Sequence, residues 1–321
     1  MKKALKIWLI VASSLVLLGA IIFTLVMTAL GWDFTKLSTT KFVTSEYTVT
    51  DSFNSISLVT STADVTVLPS NDSTVRVVCY EEENIRHNVS VKDGSLYITV
   101  NDTRKWYQNI GISFESPKIT LYLPKGEYSS LSFKASTADI TVAGGFTFET
   151  VNVKLSTGDT TLEANVNEKA TFSATTGNVS IKNVSIASLD ITVTTGDISI
   201  SNVNSAGKIT TLSDTGDVSL EDVKCQSLIS DADTGKLSLT NVIATESFQI
   251  TRDTGDVSFN KCDAAEIFVK TTTGKVKGSL LSSKVFIPRS STGDIRVPST
   301  TTGGKCEITT DTGDIIITVN N

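Results

Sequence analysis

The chain has 321 residues, with 28 Lys and Arg against 34 Asp and Glu and a single His. Three of the lysines precede an apolar N-terminal segment without acidic residues, so 25 basic residues stand against 34 acidic ones in the rest of the chain. Such an acidic surface repels phosphate groups, which excludes nucleic acid as a partner. The four cysteines form no CxxC pair, and the sequence contains no recognisable catalytic constellation.

The N-terminal segment has the composition of a transmembrane helix. Residues 7–30 carry no charged side chain, and Trp8 and Trp32 stand near the two ends, as is common at membrane interfaces. A helix of this length spans about 36 Å, which exceeds the roughly 30 Å hydrocarbon core of a bilayer. Because lysines precede the segment, we predict a cytoplasmic tail at residues 1–6 and a transmembrane anchor at residues 7–32. The protein would then be a single-pass protein of the cell membrane, with the remainder of the chain extracytoplasmic.

A cleaved signal peptide is the alternative interpretation of this segment. Its apolar region would be about 7–15 residues long and would end in small residues. The apolar run of this chain is longer, and Ala29, the best cleavage position, lies two residues after Met27, which is not small. We therefore expect the anchor to remain attached.

Residues 33–126 contain strand-like runs without a regular repeat. The pair Asp93-Gly94 is typical of a hairpin turn. The runs are rich in β-branched and aromatic residues and lie at 56–68, 73–80, 95–100 and 118–123. We predict that this part forms an irregular β cap with a first degenerate coil, which closes one end of the repeats that follow.

Residues 127–321 repeat every 19 or 20 residues. Degenerate copies of the repeat motif, with Ala in place of Gly, occur at 136–139 and 61–64. The period indicates a solenoid, because a propeller blade needs about 40 residues. The regular copies carry a Thr-Gly pair, with the glycine at Gly158, Gly177, Gly196, Gly216, Gly235, Gly255, Gly274, Gly293 and Gly313.

Apolar and polar residues alternate within each repeat, which is the periodicity of a β-strand. The positions two and four residues after each glycine are apolar in nearly every copy, as at Ile198 and Ile200. Each repeat is therefore predicted to form one coil with two short strands, joined at a turn in which glycine adopts a positive φ. About ten stacked coils give an all-β fold, a parallel β-solenoid with a shared core.

Some copies depart from the pattern. Pro288 lies in a strand column, Gly278 replaces an aliphatic core residue, and Arg252 stands where an earlier copy has Leu155. We expect a bulge or a weak position within residues 276–300.

The octapeptide Ile-Thr-Leu-Tyr-Leu-Pro-Lys-Gly at 119–126 is followed by the series of Ser-Thr-Gly-Asp-Ile-x-Ile repeats, all behind the N-terminal anchor. In these features residues 45–321 resemble a bacterial family named "putative adhesins", a membrane-anchored β-strand-repeat domain of unknown function. The resemblance implies a right-handed parallel β-solenoid on a bacterial cell surface. It brings no catalytic residues with it.

Motifs known from enzymes have simpler explanations in this chain. Asp-Thr-Gly is the aspartic-protease signature, but other copies of the same turn read Ser-Thr-Gly or Thr-Thr-Gly, so the triplet belongs to the repeat. His87 follows three glutamates, and we expect it to be solvated. Cys262 and Cys306 fall in apolar columns and are predicted to be small buried residues. We therefore predict that the protein is not an enzyme.

Aspartates at the turns are the candidate metal ligands. Asp214, Asp233 and Asp253 fall at one turn position in three successive copies. Stacking would place them about 5 Å apart, a spacing at which their oxygens could hold calcium. The alternative is that Lys236 and Arg252 neutralise them and that the protein has no cofactor.

The residue after the turn glycine alternates in charge along the later copies. We predict that each lysine bridges the carboxylates of the coils on either side, although exposed pairs of this kind contribute only about 0–1 kcal/mol. The residues concerned are Asp217, Lys236, Asp256, Lys275 and Asp294.

Together these features predict a membrane-tethered, adhesin-like surface protein that acts by binding a cell-wall or surface glycan or a protein. Trp106 and Tyr107, in the irregular part, could stack on a sugar, with a core or cap role as the alternative. A structural envelope or envelope-stress accessory without a ligand is the second interpretation. A polysaccharide-acting enzyme, by analogy with lyases built on parallel β-helices, is the third.

Overall fold

One apolar helix precedes the β-structure. The computed structural model describes residues 3–38, 40–105, 113 and 115–320. The helix α1 spans Lys3–Ala29, and a short 3-10 helix follows at Phe34–Leu37. Within the described ranges, α1 is the one helix long and apolar enough to cross a membrane, with a mean hydropathy of 2.7. Most of its large apolar side chains are exposed, as in a membrane span or a signal sequence.

All strands of the described chain join one sheet. The strands before the repeats are β1 (Phe42–Val49), β2 (Ser55–Thr60), β3 (Asp64–Pro69), β4 (Val75–Glu82), β5 (Ile85–Lys92), β6 (Ser95–Asp102) and β7 (Lys118–Leu123). The repeats supply β8 (Gly126–Thr137), β9 (Ile140–Val142), β10 (Phe146–Thr157), β11 (Thr160–Leu162), β12 (Asn165–Thr176), β13 (Val179–Thr195), β14 (Ile198–Ser205), β15 (Lys208–Thr215), β16 (Val218–Thr234), β17 (Leu237–Thr254), β18 (Val257–Thr273), β19 (Val276–Leu280), β20 (Lys284–Thr292), β21 (Ile295–Arg296), β22 (Gly304–Thr312) and β23 (Ile315–Val319).

Each coil contributes two strands, and the equivalent strands of neighbouring coils are parallel. β10 pairs with β8 on one side and with β12 on the other, and β11 pairs in the same way with β9 and β13. The longest strands, such as β13, continue around a corner. Their first part is the second strand of one coil, and the remainder is the first strand of the next coil. The predicted β-solenoid of about ten turns is confirmed.

The core of the stack consists of the apolar columns that the sequence predicts. Ile198 and Ile200 are buried and stand in register with Val179 and Ile181 of the preceding coil. Ser199, between them, is exposed. Burial of such an aliphatic side chain contributes about 1.5–3 kcal/mol, and because the columns run through all coils, no coil is stable without its neighbours.

The Thr-Gly turn requires glycine for two reasons. Gly216 has a φ of 150°, which residues with a side chain rarely adopt. A Cβ atom there would also lie 1.9 Å from the carbonyl oxygen of Gly196 in the preceding coil. The predicted positive φ is confirmed at Gly216, and the backbones of successive coils approach each other too closely for any side chain.

A second corner uses left-handed residues other than glycine in five successive coils. The amide of Asn202 donates from Nδ2 to Oδ1 of Asn183 at 2.9 Å, so this corner also links neighbouring coils. Asn and Asp tolerate this backbone conformation better than other residues with a side chain. The corner residues have φ values of 52° to 56° and are Asn183, Asn202, Asp222, Asn241 and Lys261.

The coils at the N-terminal end do not stack in sequence order. β2 lies between β6 and β8, and β3 lies between β7 and β9. The coil of β6 and β7 is therefore outermost, although the coil of β2 and β3 comes first in the chain. On its free side β5 pairs antiparallel with β6, and β4 pairs antiparallel with β7 and β1. These antiparallel strands cover backbone groups that would otherwise be unpaired.

The C-terminal end shows the same exchange of order. β22 lies between β18 and β20, and β23 lies between β19 and β21. The last coil of the chain is thus inserted one place in from the end of the stack. For this reason Lys275 reaches the carboxylate of Asp314, at 3.0 Å, instead of that of Asp294. The predicted alternation of charges is wrong at this end, because it assumed that the coils stack in sequence order.

The expected irregularity within residues 276–300 has a local cause. Gly278, with a φ of 140°, stands opposite Phe259 where the register between β18 and β19 shifts, which confirms a bulge. Pro288 lies in β20, an outermost strand that pairs with β22. An edge strand tolerates proline, because the missing N–H group can lie on the side that has no neighbouring strand.

Candidate functional site

In most copies of the turn, the Asp or Asn that follows the Gly or Ala binds the neighbouring coil, whereas Lys236 and Lys275 offer no acceptor at this position. Oδ1 of Asp159 accepts a hydrogen bond from the backbone N–H of Asn178 at 2.7 Å, and Oδ1 of Asn178 accepts one from Asp197 at 2.8 Å. We call this series the Asx ladder. It explains why Asp or Asn occupies the position, since both offer the same acceptor oxygen. The other acceptors of the ladder are Asp64, Asp139, Asp197, Asp217, Asp256 and Asp314.

The three candidate calcium ligands lie on the outer surface of the turns. Asp214, Asp233 and Asp253 occupy one position of three successive coils, because the threonines that follow them pair in register. All three aspartates are exposed. The structure therefore brings them onto one edge of the stack, and calcium binding there stays a prediction.

Arg252 does not neutralise these aspartates, because it points into the stack. It is 1% exposed, and its Nη2 donates to Oγ of Ser230 at 2.8 Å while Nη1 donates to the carbonyl oxygen of Thr251 at 2.7 Å. Burial lowers the pKa of the guanidinium to about 10, and the charge of Asp231 opposes that shift. Its register partner in the preceding coil is Ala232, whose small side chain leaves space for it. The interpretation in which Arg252 screens the exposed aspartates is wrong.

An open groove of about 560 Å³ lies on the outer face of the stack, toward its C-terminal end. Phe268 pairs in register with Gln249 on one side and with Glu307 on the other. Glu307 holds this place because β22 is inserted beside β18; in sequence order Ile287 would stand there. We call this surface the Phe268 groove, lined by Gln249, Thr251, Phe268, Lys270, Glu307 and Thr309.

The Phe268 groove combines an aromatic ring with charged and amide groups. Phe268 is half-buried, and Nζ of Lys305 lies 5.3 Å from its ring centroid and 2.6 Å from Oε2 of Glu307. The hydrogen bond and the charge of Lys305 lower the pKa of Glu307, so that this carboxylate is ionised at neutral pH. Such a surface can bind a ligand by stacking and by hydrogen bonds. The sequence signal for this surface is an aromatic residue at an outward position of an alternating strand.

The proposed sugar-stacking residues, Trp106 and Tyr107, lie outside the described residues. In the chain they fall between β6 and β7, the two strands of the outermost N-terminal coil. Their role in binding stays a prediction.

The four cysteines are free and buried. Burial raises the pKa of the Cys225 thiol and of the Cys306 thiol to about 12, so neither is reactive at neutral pH. The prediction that Cys262 and Cys306 are small buried residues is confirmed.

His87 is buried, which corrects the expectation that it is solvated. It lies on β5 and is 4% exposed. Its Nδ1 is 2.9 Å from Oε2 of Glu81, which is itself fully buried, and its Nε2 is 3.1 Å from Oγ1 of Thr60. The acidic run before His87 suggested solvent, but the strand alternation of β4 turns Glu81 inward.

The chain matches a known family over most of its length. The sequence profile of the Toastrack DUF4097 family matches residues 53–214 and 206–321. No curated protein matches the chain.

Several solved structures are similar in fold. A "putative lipid binding protein" from Parabacteroides distasonis is 16% identical, with a TM-score of 0.50 over 76% of this chain and 98% of its own. A "putative adhesin" from the same species is 12% identical, with a TM-score of 0.49 over 86% of this chain and 97% of its own. A "putative adhesin" from Bacteroides fragilis is 18% identical, with a TM-score of 0.43 over 87% of this chain and 97% of its own.

At 16% identity, the structure with a TM-score of 0.50 supports the fold alone. The family profile, in contrast, extends from the first degenerate coil through the inserted last coil. The chain belongs to the Toastrack DUF4097 family.

Proposed function

We propose that this protein is a membrane-tethered solenoid, displayed outside the cytoplasm, that acts by binding a cell-wall or surface glycan or a surface protein. In this arrangement residues 1–6 lie in the cytoplasm and residues 7–32 cross the membrane. Residues 33–126 form the capped end of the stack, and residues 127–321 carry its long faces.

The membrane placement rests on α1 and on the charges around it. The helix is uncharged from residue 7 to residue 30, and lysines precede it. Positively charged residues beside a membrane span favour the cytoplasmic side. The acidic solenoid would then face away from the anionic lipid surface to which it is tethered.

The Phe268 groove is the observation that carries the binding function. Phe268 lies on the outer face with an amide, Gln249, and an ion pair, Lys305 and Glu307, around it. An aromatic ring flanked by hydrogen-bonding groups suits a sugar ring or an extended peptide, since both present an apolar face beside polar groups.

A binding experiment with the full chain in lipid nanodiscs tests the proposal. Purified cell walls and an immobilised glycan panel are the probes. Phe268→Ala is expected to weaken binding by about tenfold or more, because a central aromatic contact is lost. Tyr97→Ala removes an exposed aromatic residue from β6, at the other end of the stack, and is the matched control.

Each outcome separates the candidate functions. Binding that Phe268→Ala leaves unchanged would contradict the groove as the contact surface. A parent protein that binds no probe would favour the structural accessory without a ligand. Release of soluble sugar from a polysaccharide would favour the enzyme.

A further inference from the structure

Three potential metal ligands converge inside the capped end of the stack. In the described part of the chain, Cys79, Glu81 and His87 are the group of Cys, His and acidic side chains whose ligand atoms all lie within 4.8 Å of one another. Cys79 and Glu81 are fully buried, and His87 is nearly so. We call them the Cys79–Glu81–His87 cluster.

The local fold explains why these side chains meet. Cys79 and Glu81 are two residues apart on β4, so both point to the inner face of that strand. A two-residue turn at 83–84 leads into β5, which brings His87 back over Glu81. The cluster is thus formed by two consecutive strands, which are held against the stack by the pairing of β4 with β7 and of β5 with β6.

The donor atoms are a thiol sulfur, a carboxylate oxygen and an imidazole nitrogen. This set is typical of zinc and related transition-metal ions and is unsuited to calcium or magnesium, which prefer oxygen alone. We propose that the Cys79–Glu81–His87 cluster is a binding site for a divalent transition-metal ion such as zinc, with Nδ1 of His87 as the nitrogen ligand.

The surrounding contacts already orient the ligands. Nδ1 of His87 faces Oε2 of Glu81 at 2.9 Å, and a metal ion would take the place of the proton between them. Oγ of Ser45 donates to the other carboxylate oxygen at 2.7 Å. On the far side of the ring, Nε2 lies 3.1 Å from Oγ1 of Thr60. When Nδ1 binds metal, Nε2 carries the ring proton and can donate a hydrogen bond to this oxygen. Metal-binding histidines usually have such a second partner.

A neighbouring arginine takes part in the charge balance of the cluster. Nη1 of Arg86 lies 3.6 Å from Oε1 of Glu81, whereas Nδ1 of His87 faces the other carboxylate oxygen, Oε2. A thiolate of Cys79 would add a negative charge beside that of Glu81, and a divalent ion would compensate both. The thiol proton would be released, and the proton of Nδ1 would move to Nε2. A cavity of about 140 Å³ borders His87 and Thr60 and provides space for water beside the cluster.

Cobalt titration of the full chain in detergent tests the site. The protein is first stripped of metal with a chelator, and Co²⁺ is then added. One equivalent should produce a thiolate-to-cobalt charge-transfer absorption, and zinc should abolish it by displacement. Cys79→Ser should remove the absorption, whereas Cys225→Ser, which changes another buried thiol outside the cluster, should keep it.

A second variant tests the role of the surrounding contacts. Thr60→Val removes the partner of Nε2 while keeping a side chain of similar shape, and it is expected to weaken zinc binding about 10–100-fold. An unchanged affinity would overturn this role of Thr60. The site as a whole would be overturned by a parent protein that shows no charge-transfer absorption with one equivalent of cobalt. It would equally be overturned by an absorption that survives Cys79→Ser in folded protein. The parent measurement decides the question even if Cys79→Ser fails to fold.

Discussion

Single residues at the turns of this protein mainly make contacts between coils. The glycine allows two backbones to approach, and the Asp or Asn that follows it binds the backbone N–H of the neighbouring coil. The turn motif therefore links neighbouring coils along the stack by a close backbone contact and a hydrogen bond. Two kinds of substitution separate its steric part from its hydrogen-bonding part.

Gly216→Val should destabilise the protein strongly. The side chain would require an unfavourable φ, and its Cβ atom would collide with the carbonyl oxygen of Gly196. We expect a loss of about 2 kcal/mol or more in the free energy of unfolding. Thermal unfolding of the variant, the parent and the control Thr215→Ser measures the effect. Equal melting temperatures for Gly216→Val and the parent would contradict this account of the turn.

Asp197 tests the Asx ladder, because its Oδ1 accepts the N–H of Asp217 at 2.8 Å. Asp197→Ala removes the acceptor and should cost about 1 kcal/mol. Asp197→Asn keeps the acceptor, as Asn178 does naturally one coil earlier, and should unfold close to the parent. If both variants lost the same stability, the charge of Asp197 and not its hydrogen bond would be responsible.

The exposed aspartates offer a separate prediction about calcium. Millimolar calcium should raise the melting temperature if Asp214, Asp233 and Asp253 bind the ion together. Asp233→Asn, at the centre of the three, should remove most of the rise, whereas Glu221→Gln, an exposed residue on the same long strand, should preserve it. A parent whose unfolding does not respond to calcium would leave the three aspartates as turn residues.

The repeat predicts the register of the strands, but it does not predict the order in which the coils stack. Alternation and column identity predict two strands per coil and parallel stacking, and both are present. The turns at Gly293 and Gly313 carry the same Thr-Gly-Asp-Ile pattern, so either could stack on Gly274. If the coils stacked in sequence order, Gly293 would lie on Gly274. In the structure Gly313 lies on Gly274 instead.

Disulfide trapping distinguishes the two orders at the C-terminal end. Lys270 is the register partner of Thr309, and Thr309 is the partner of Arg289. Lys270→Cys combined with Thr309→Cys should cross-link on mild oxidation, because adjacent strands lie about 4.8 Å apart. Lys270→Cys combined with Arg289→Cys should not, since two strand spacings, about 9.6 Å, exceed the reach of a disulfide. The opposite result would restore sequence order.

Some side chains escaped prediction because their local sequence resembles that of a different environment. His87 follows a run of glutamates, yet the turn between β4 and β5 brings it inward onto Glu81. Phe268 lies between the core residues Ile267 and Val269, so alternation predicts that it points outward, but not that Glu307 of the inserted strand β22 lies beside it. In each case the deciding contact comes from another strand, which the periodicity of a single repeat does not specify.

Both ends of the stack share one exchange of coil order, although among the described strands antiparallel pairing covers the N-terminal end alone. The first and the last coil of the chain each lie one place inside the stack and are paired on both sides. In a simple solenoid the terminal coil has one neighbour and frays first. Here each outermost coil is joined to inner coils by the chain before it and the chain after it. Fraying is thereby restricted at both ends of a domain that we propose to be exposed outside the cell.

Membrane topology is the prediction that concerns the molecule as a whole. The four native cysteines are buried, so single exposed cysteines can report on each side of the membrane. Lys277→Cys, on the outer face of β19, should react with a membrane-impermeant maleimide in intact cells stripped of outer layers. Lys3→Cys should react only after lysis, because lysines before a membrane span favour the cytoplasm. The reverse pattern would contradict the orientation. Recovery of the complete solenoid from the medium without detergent would show instead that α1 is a cleaved signal sequence.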